Sequence, residues 1–475
     1  MASANISFEK IPVSMRKPGA YLEWNNKLAL RNLPTNQQKV VLIATHTASA
    51  LPALTDLANV FSEADVAATY GQGSQAHLMV RAALTAWPYA TLSLITMSDD
   101  AAGVAATATI TFTGSATIQG VLRVGIANAD VLQIGVKRTD TAASVATAVA
   151  AAINAQVDLP VTAAAAAGVV TLTAKNKGTD GNFISISHSL TAAGLTVVAT
   201  EFAGGDANPD IEPALTAIVA EGHDILAVGL NDAANLLKLR DHLEAVAAPQ
   251  EKRWALGVYG QTASLATATT QALALNSEFM VNAWYRGTPS LPCEVAAAFA
   301  VVLASEEDPA RPLNTLALSG IGVCPVADKT LRSEQENALY NGVTPLETSA
   351  EGTRVQIVRA ITTYTQSVNG TADESFLDVT TVRTLIYVSK AVIQRFLLRH
   401  PRDKMTDRVI KLVRSDTLEV LLQCETLEIV ENVEANKDKL IVERDMQNTG
   451  MLNMRLPTDV VNGLHILGVV VDLYL

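Results

Sequence analysis

The stretch DILAVGLNDAANLLKLRDHLEAVAAPQEKRWALGVYGQTASLATATTQALALNSEFMVNAWY, residues 224–285, decides the fold class. Its apolar runs DILAVGL (224–230), RWALGVYG (253–260) and EFMVNAWY (278–285) are short and bounded by polar turns, as strands are. The segments between them, 232–247 and 262–275, repeat their apolar residues at helical spacing, and a further helix is expected over 293–304. Strands alternating with helices predict a parallel or mostly parallel sheet with helices on its faces.

The same texture extends upstream. KVVLIA (39–44) and ATLSLITM (90–97) read as strands around a helix at AHLMVRAALTA (76–86), making residues 36–98 a first α/β segment. At Asp99 the composition turns to Thr, Ala, Val and Gly. Residues 99–206 read as an inserted β-rich outer domain, with strands in ATATITFTG, LRVGIANADVLQIGV, GVVTLTA and NFISISH and one helix at 144–156. The α/β pattern resumes after FAGGDANPD, so 207–365 is taken as the main α/β domain. Residues 366–463 read as an α+β C-terminal domain: helices at 382–400 and 404–414, then strands in VLLQCETLEIVENVEA and KLIVERDM. Residues 1–35, broken by Pro12, Pro18, Gly19 and Pro34, read as an extended arm, and 464–475 as an apolar terminal strand. No repeat of fixed period is visible.

Composition narrows the function. With 49% apolar and 17% charged residues over 475 positions, the chain suits a multidomain protein with large interfaces. Aromatics at 5% leave few rings for stacking on sugars or bases. A net charge of −12 argues against direct binding of nucleic acid or an anionic membrane over the whole surface. Cys293, Cys324 and Cys424 lie far apart without a CxxC pair, so neither a disulfide framework nor a zinc site is expected, which fits a reducing cytosol. The opening MASANISFEKIPVSMRK has no signal-peptide core, and no apolar run is long enough to span a bilayer.

Catalytic constellations are missing. There is no GxSxG elbow, HExxH, GxxxxGK[ST] or paired CxxC. GQGSQA (71–76) matches a loose GxGxxA phosphate pattern, but it lacks a good preceding strand and the acidic residue expected about 20 positions on; a turn leading into a helix is the plainer reading. His223 beside Asp224 resembles a base with its orienter, yet neighbours entering a strand point to opposite faces. Ser319 in LALSGIG has no base supplied by the sequence. No catalytic residue, metal ligand or cofactor is therefore expected.

The ends and one basic segment carry more. In LHILGVVVDLYL, Leu467, Val469, Val471, Leu473 and Leu475 share one face of an extended strand, and an apolar edge left open is an aggregation hazard, so it is expected to dock. Docking within its own domain is the ordinary reading. The sharper one is strand exchange: this face, together with Ile6, Phe8, Ile11 and Val13 near the other end, completes sheets of identical copies. Between 383 and 414, nine Lys or Arg face only Asp403 and Asp407, about +7. Lys390, Arg395, Arg399, Arg402 and Lys404 form the candidate basic patch, either a solvated helix face or a contact for an acidic partner.

Taken in order, RKPGAYLEWN (16–25), RPLNTLALSGIGVCP (311–325), NALYNGVTPL (337–346), TTVRTLIYVSKAVIQRFLLRHPRDKM (380–405) and ERDMQNTGMLNMRLP resemble segments of Mu-like contractile phage tail sheath proteins. That resemblance implies a non-enzymatic subunit of six-membered rings stacked around a tail tube, bounded by baseplate and tail terminator proteins. It also implies an α/β domain that is subtilisin-like in shape without being catalytic, a C-terminal domain facing the tube, and arms linking neighbours. The expected place is the virion tail, assembled in the host bacterial cytoplasm. The sheath of a phage-tail-like bacteriocin or secretion device remains an alternative, and a subtilisin-like hydrolase a remoter one.

Overall fold

The structure, a computed structural model, describes residues 17–22 and 33–474. Among the described residues the first elements are β1 (Lys39–His46), β2 (Ala58–Asn59), α1 (Glu63–Tyr70), α2 (Gln75–Ala86) and β3 (Thr91–Ser98). In β1 every residue after Lys39 is buried, because a central parallel strand is covered on both faces and its sequence runs apolar without alternation.

The inserted segment holds β4 (Thr107–Gly114), β5 (Gly120–Ile126), β6 (Leu132–Val136), α3 (Ala142–Ala155), β7 (Val161–Ala166), β8 (Val169–Ala174), β9 (Ile186–Leu190) and β10 (Leu195–Ala199). They form two antiparallel sheets, in the orders β10-β4-β8-β7 and β6-β5-β9. Strand β4 alternates: Ala108, Ile110 and Phe112 are buried while Thr107 and Thr113 are exposed. Strands β7 and β10 escaped the sequence reading, since VTAAAA and LTVVA have too little apolar bulk to stand out from their Ala-rich surroundings.

The chain then returns through α4 (Glu212–Ile218), β11 (Ile225–Val228), α5 (Ala233–Ala247), β12 (Leu256–Gln261), α6 (Leu265–Leu275), β13 (Met280–Trp284), α7 (Pro292–Ser305), α8 (Arg332–Tyr340), β14 (Thr344–Thr348) and β15 (Val355–Ile357). One eight-stranded sheet, β15-β14-β13-β12-β11-β1-β3-β2, collects strands from both sides of the insertion. It is parallel from β3 to β14 and antiparallel at its edges. Helix α7, PCEVAAAFAVVLAS, is apolar nearly all round and is buried from Pro292 to Ala304.

The last part comprises α9 (Val379–Arg399), α10 (Asp407–Thr426), α11 (Val433–Asn436) and the hairpin β16 (Ile441–Arg444) with β17 (Leu452–Arg455). Here one expectation fails. VLLQCETLEIVENVEA holds no strand: α10 runs on to Thr426, Val430 makes only an isolated bridge, and Val433 opens α11. Val413, Thr417, Val420, Leu421 and Cys424 recur at helical spacing and bury one face beside Tyr387, Val388 and Ala391 of α9. Residues 464–474 carry no regular secondary structure and pair with no strand of the described chain.

Candidate assembly interface

In open α/β sheets ligands bind outside the carboxyl ends of the strands where the strand order reverses. That point lies between β1 and β11, and the protein fills it with its own side chains. Gln75, the first residue of α2, accepts from the Thr45 amide at 2.8 Å and donates to the Gly229 carbonyl at 3.1 Å and to Asp180 Oδ2 at 3.2 Å. Asn176 Oδ1 accepts from the Gln75 amide at 2.9 Å, and Lys175 Nζ donates to the Gln72 carbonyl at 2.8 Å. Lys175, Asn176 and Asp180 all belong to the insertion. Gly73, at φ +74, brings the loop so close that a Cβ would meet the Leu159 carbonyl oxygen at 2.2 Å. GQGSQA is thus a turn into a helix, capped by Ser74 Oγ, and it seats the inserted segment. Burial raises the Asp180 carboxyl to about 6, against hydrogen bonds from Gln75 and the Cys293 thiol.

The other catalytic candidates are committed elsewhere. His223 stacks on His242 with the two Nε2 atoms 3.4 Å apart, and burial holds both rings at about 4. Asp224 accepts from the Lys39 amide at 2.9 Å and pairs with Lys390 Nζ at 2.7 Å. Ser319 lies exposed in a turn.

The expected basic patch is largely neutralised within the chain. Lys390 is taken by Asp224. Arg395 is only 6% exposed and turns toward α10, where Glu419 is 3.6 Å away and Gln423 Oε1 accepts at 3.3 Å. Arg399 pairs with Asp416 at 2.5 Å, and His400 bridges Asp403 and Asp416 at 2.8 Å each. The physical reason is spacing: Asp416, Glu419 and Gln423 line one face of α10 and meet the i, i+4 face of α9 that carries Arg395 and Arg399. Arg402 and Lys404, in the turn between the helices, are exposed. Beside them a groove of about 510 Å³ opens between α9, α10 and the hairpin, lined by Val392, Ile393, Phe396, Leu397, Val413 and Met454.

The segments beginning at Leu33 and ending after Val460 both meet these elements. Leu33 packs on the α9–α10 core and the Tyr387 hydroxyl donates to the Pro34 carbonyl at 3.0 Å. Ile6, Phe8, Ile11 and Val13 lie outside the described residues. At the other end, Val460 bridges Val430, and Asn314 Nδ2 donates to His465 Nδ1 at 2.9 Å. Burial and Arg359 lower the His465 pKa, against Asp378. Beyond that point Leu467, Val469, Val471 and Leu473 are 81, 70, 86 and 81% exposed. An apolar arm held in water is unfavourable for a solitary molecule, by roughly 1.5–3 kcal/mol per fully covered side chain.

Comparison with known proteins gives that arm a context. The family model of the phage tail sheath protein central domain matches residues 204–363, and that of the phage tail sheath C-terminal domain matches 371–473. The chain belongs to the contractile phage tail sheath family. The Mu-like prophage FluMu tail sheath protein of Haemophilus influenzae is 29% identical, covering 97% of this chain and 98% of its own. In fold the sheath resembles the sheath tail proteins of Listeria innocua and Desulfitobacterium hafniense, each with a TM-score of 0.51. Identities are 15% and 12%, covering 91% and 94% of this sheath and 94% and 97% of theirs. Because the C-terminal match runs to residue 473, the exposed arm is part of the family pattern.

Sequence reasoning missed two features of this sheath. Asp416 and Glu419, the carboxylates that absorb the basic helix, begin two residues past the basic stretch 383–414; their own i, i+3 spacing was the signal. The polar socket of Gln75, Asn176 and Asp180 joins residues about a hundred positions apart and left no local mark.

Proposed function

We propose that this sheath subunit polymerises as stacked hexameric rings around a tail tube, and that its contraction drives the tube through the host envelope for genome delivery. The observation that carries the reading is the bare apolar arm in a chain that also holds an incomplete sheet. Among the described residues, strands β16 and β17 form a two-stranded sheet, a marginal structure alone, with an open edge on either side. The chain offers its C-terminal arm, and by the sequence pattern Ile6, Phe8, Ile11 and Val13 would supply a second. One arm of a neighbour on each edge yields a four-stranded sheet, each new backbone hydrogen bond contributing about 0.5–1.5 kcal/mol net.

Exchange of this kind is head-to-tail and does not close on itself, so it propagates a helical tube. It also lets rigid bodies rotate while the tethers stay intact. The C-terminal helices then face the tube, and of the five basic residues only Arg402 and Lys404 are placed to meet an acidic partner. Exposed ion pairs are weak and screened, which suits contacts broken in sequence during contraction. The insertion forms the outer domain, and the central sheet corresponds to the subtilisin-like domain; its crevice is plugged, in keeping with a non-enzymatic role. Baseplate and terminator proteins bound the tube at its ends in the virion tail, after assembly in the host cytoplasm.

Removal of residues 464–475 is expected to leave folded chains that build no sheath. Polysheaths of the truncated protein in negative-stain micrographs would overturn the reading.

A further inference from the structure

We propose that His465 is the positioning residue of the C-terminal arm, a latch that sets where the arm leaves the body and how far it reaches. The chain is pinned twice before it becomes bare. Asp459 and Val460 are stitched to the α10–α11 connection: the Glu431 amide donates to the Asp459 carbonyl at 2.9 Å and Asn432 Nδ2 to Asp459 Oδ2 at 3.0 Å. Five residues later His465 is pinned to the α/β body. Asn314 Nδ2 donates to its Nδ1 at 2.9 Å, which leaves Nε2 as the hydrogen-bearing nitrogen, 3.8 Å from Asp378 Oδ1. Asp378 is itself held by Arg359 through two hydrogen bonds of 2.9 and 2.8 Å, and it is the residue that precedes α9. Gly463 permits this seat, because a Cβ there would lie 2.6 Å from Pro312 Cγ and 2.8 Å from His465 Nε2. From Ile466 to Tyr474 the large apolar side chains are all exposed.

The ring therefore sits at a three-way junction of the α/β body, the start of the C-terminal helices and the arm. Engaged, it leaves the nine described residues 466–474 as arm, spanning at most about 30–32 Å. Released, the root retreats to Val460 and five more residues join the arm, adding about 17 Å of reach. A tether of two lengths accommodates two spacings between neighbours without unpairing the exchanged strand. What the arm does rests on the strand-exchange reading; where the arm begins rests on these contacts alone.

The test uses the full-length, unassembled protein with spin labels on cysteines placed at Ile466, beside the latch, and at the fully exposed Val368. The native Cys293, Cys324 and Cys424 are buried. Pulsed electron–electron double resonance should give a narrow distance distribution for the native latch. His465→Ala and, independently, Asn314→Leu should broaden it, with a tail extending by up to about 17 Å. His465→Gln, whose amide both accepts and donates, should restore the narrow distribution. Equal widths for the native protein and His465→Ala, or no rescue by glutamine, would overturn the latch. His465→Ala chains keep the strand and should still polymerise, so a failure of strand exchange is read separately, by the truncation of 464–475.

Discussion

Lys390 Nζ on α9 lies 2.7 Å from Asp224 Oδ1 at the mouth of β11, joining residues 166 positions apart. This pair ties the C-terminal helices to the central sheet, at a joint that must hold if the subunit moves as rigid parts. Asp224 is doubly engaged, since it also accepts from the Lys39 amide. Both side chains are partly exposed, so the pair is expected to be modest: a double-mutant cycle with Lys390→Ala and Asp224→Ala, read by urea unfolding, should give a coupling of about 0.5–1 kcal/mol.

Arg395 behaves differently because it is buried. Arg395→Glu sets a second carboxylate against Glu419 with little water to screen it, and should cost about 3–5 kcal/mol. The check is a large drop in the melting temperature of the isolated chain, with no tube present.

Arg402 and Lys404 are the residues whose reversal tests tube contact cleanly. Arg402→Glu with Lys404→Glu should leave the chain's stability within about 0.5 kcal/mol. Sheath assembly on tubes should weaken, while tube-free polysheath is spared. Sedimentation of tubes with native protein should show the same weakening as salt rises.

Asp180 makes the insertion socket sensitive to pH in one direction. Its folded pKa is raised from 3.8 to about 6, so its stabilising contribution is complete below about 3.8 and is lost as pH rises through 6. Asp180→Asn should therefore gain on the native protein between pH 4.5 and 7, by on the order of 2 kcal/mol, in thermal unfolding followed across that range.

His223 and His242 work in the opposite direction. Their folded pKa values are depressed from 6.5 to about 4, so their contribution is complete above 6.5 and is lost as pH falls toward 4. His223→Gln should flatten the loss of melting temperature between pH 6.5 and 4.

Local pattern carried a great deal. The runs at 39–44, 224–230, 253–260 and 278–285 are strands of one sheet, and the helix expected over 293–304 is α7. Where the reading failed, a local signal was ambiguous. Residues 420–426 are rich in Val and Leu, and only the partner face of α9 makes them helical. Strand β10 pairs β4 across some eighty residues, and nothing near LTVVA announces its partner.

The candidate interface divides along the same line. That the chain has a β-rich insertion, a basic helical segment and an apolar run at 464–475 follows from residue order alone, because hydrophobic periodicity and composition are properties of neighbours in sequence. Which charges remain available does not. Lys390, Arg395 and Arg399 became internal partners, and Arg402 and Lys404 stayed at the surface, through Asp224, Asp416 and Glu419 brought up by other elements. An ion pair depends on separation and burial, and both are set only when distant segments have packed.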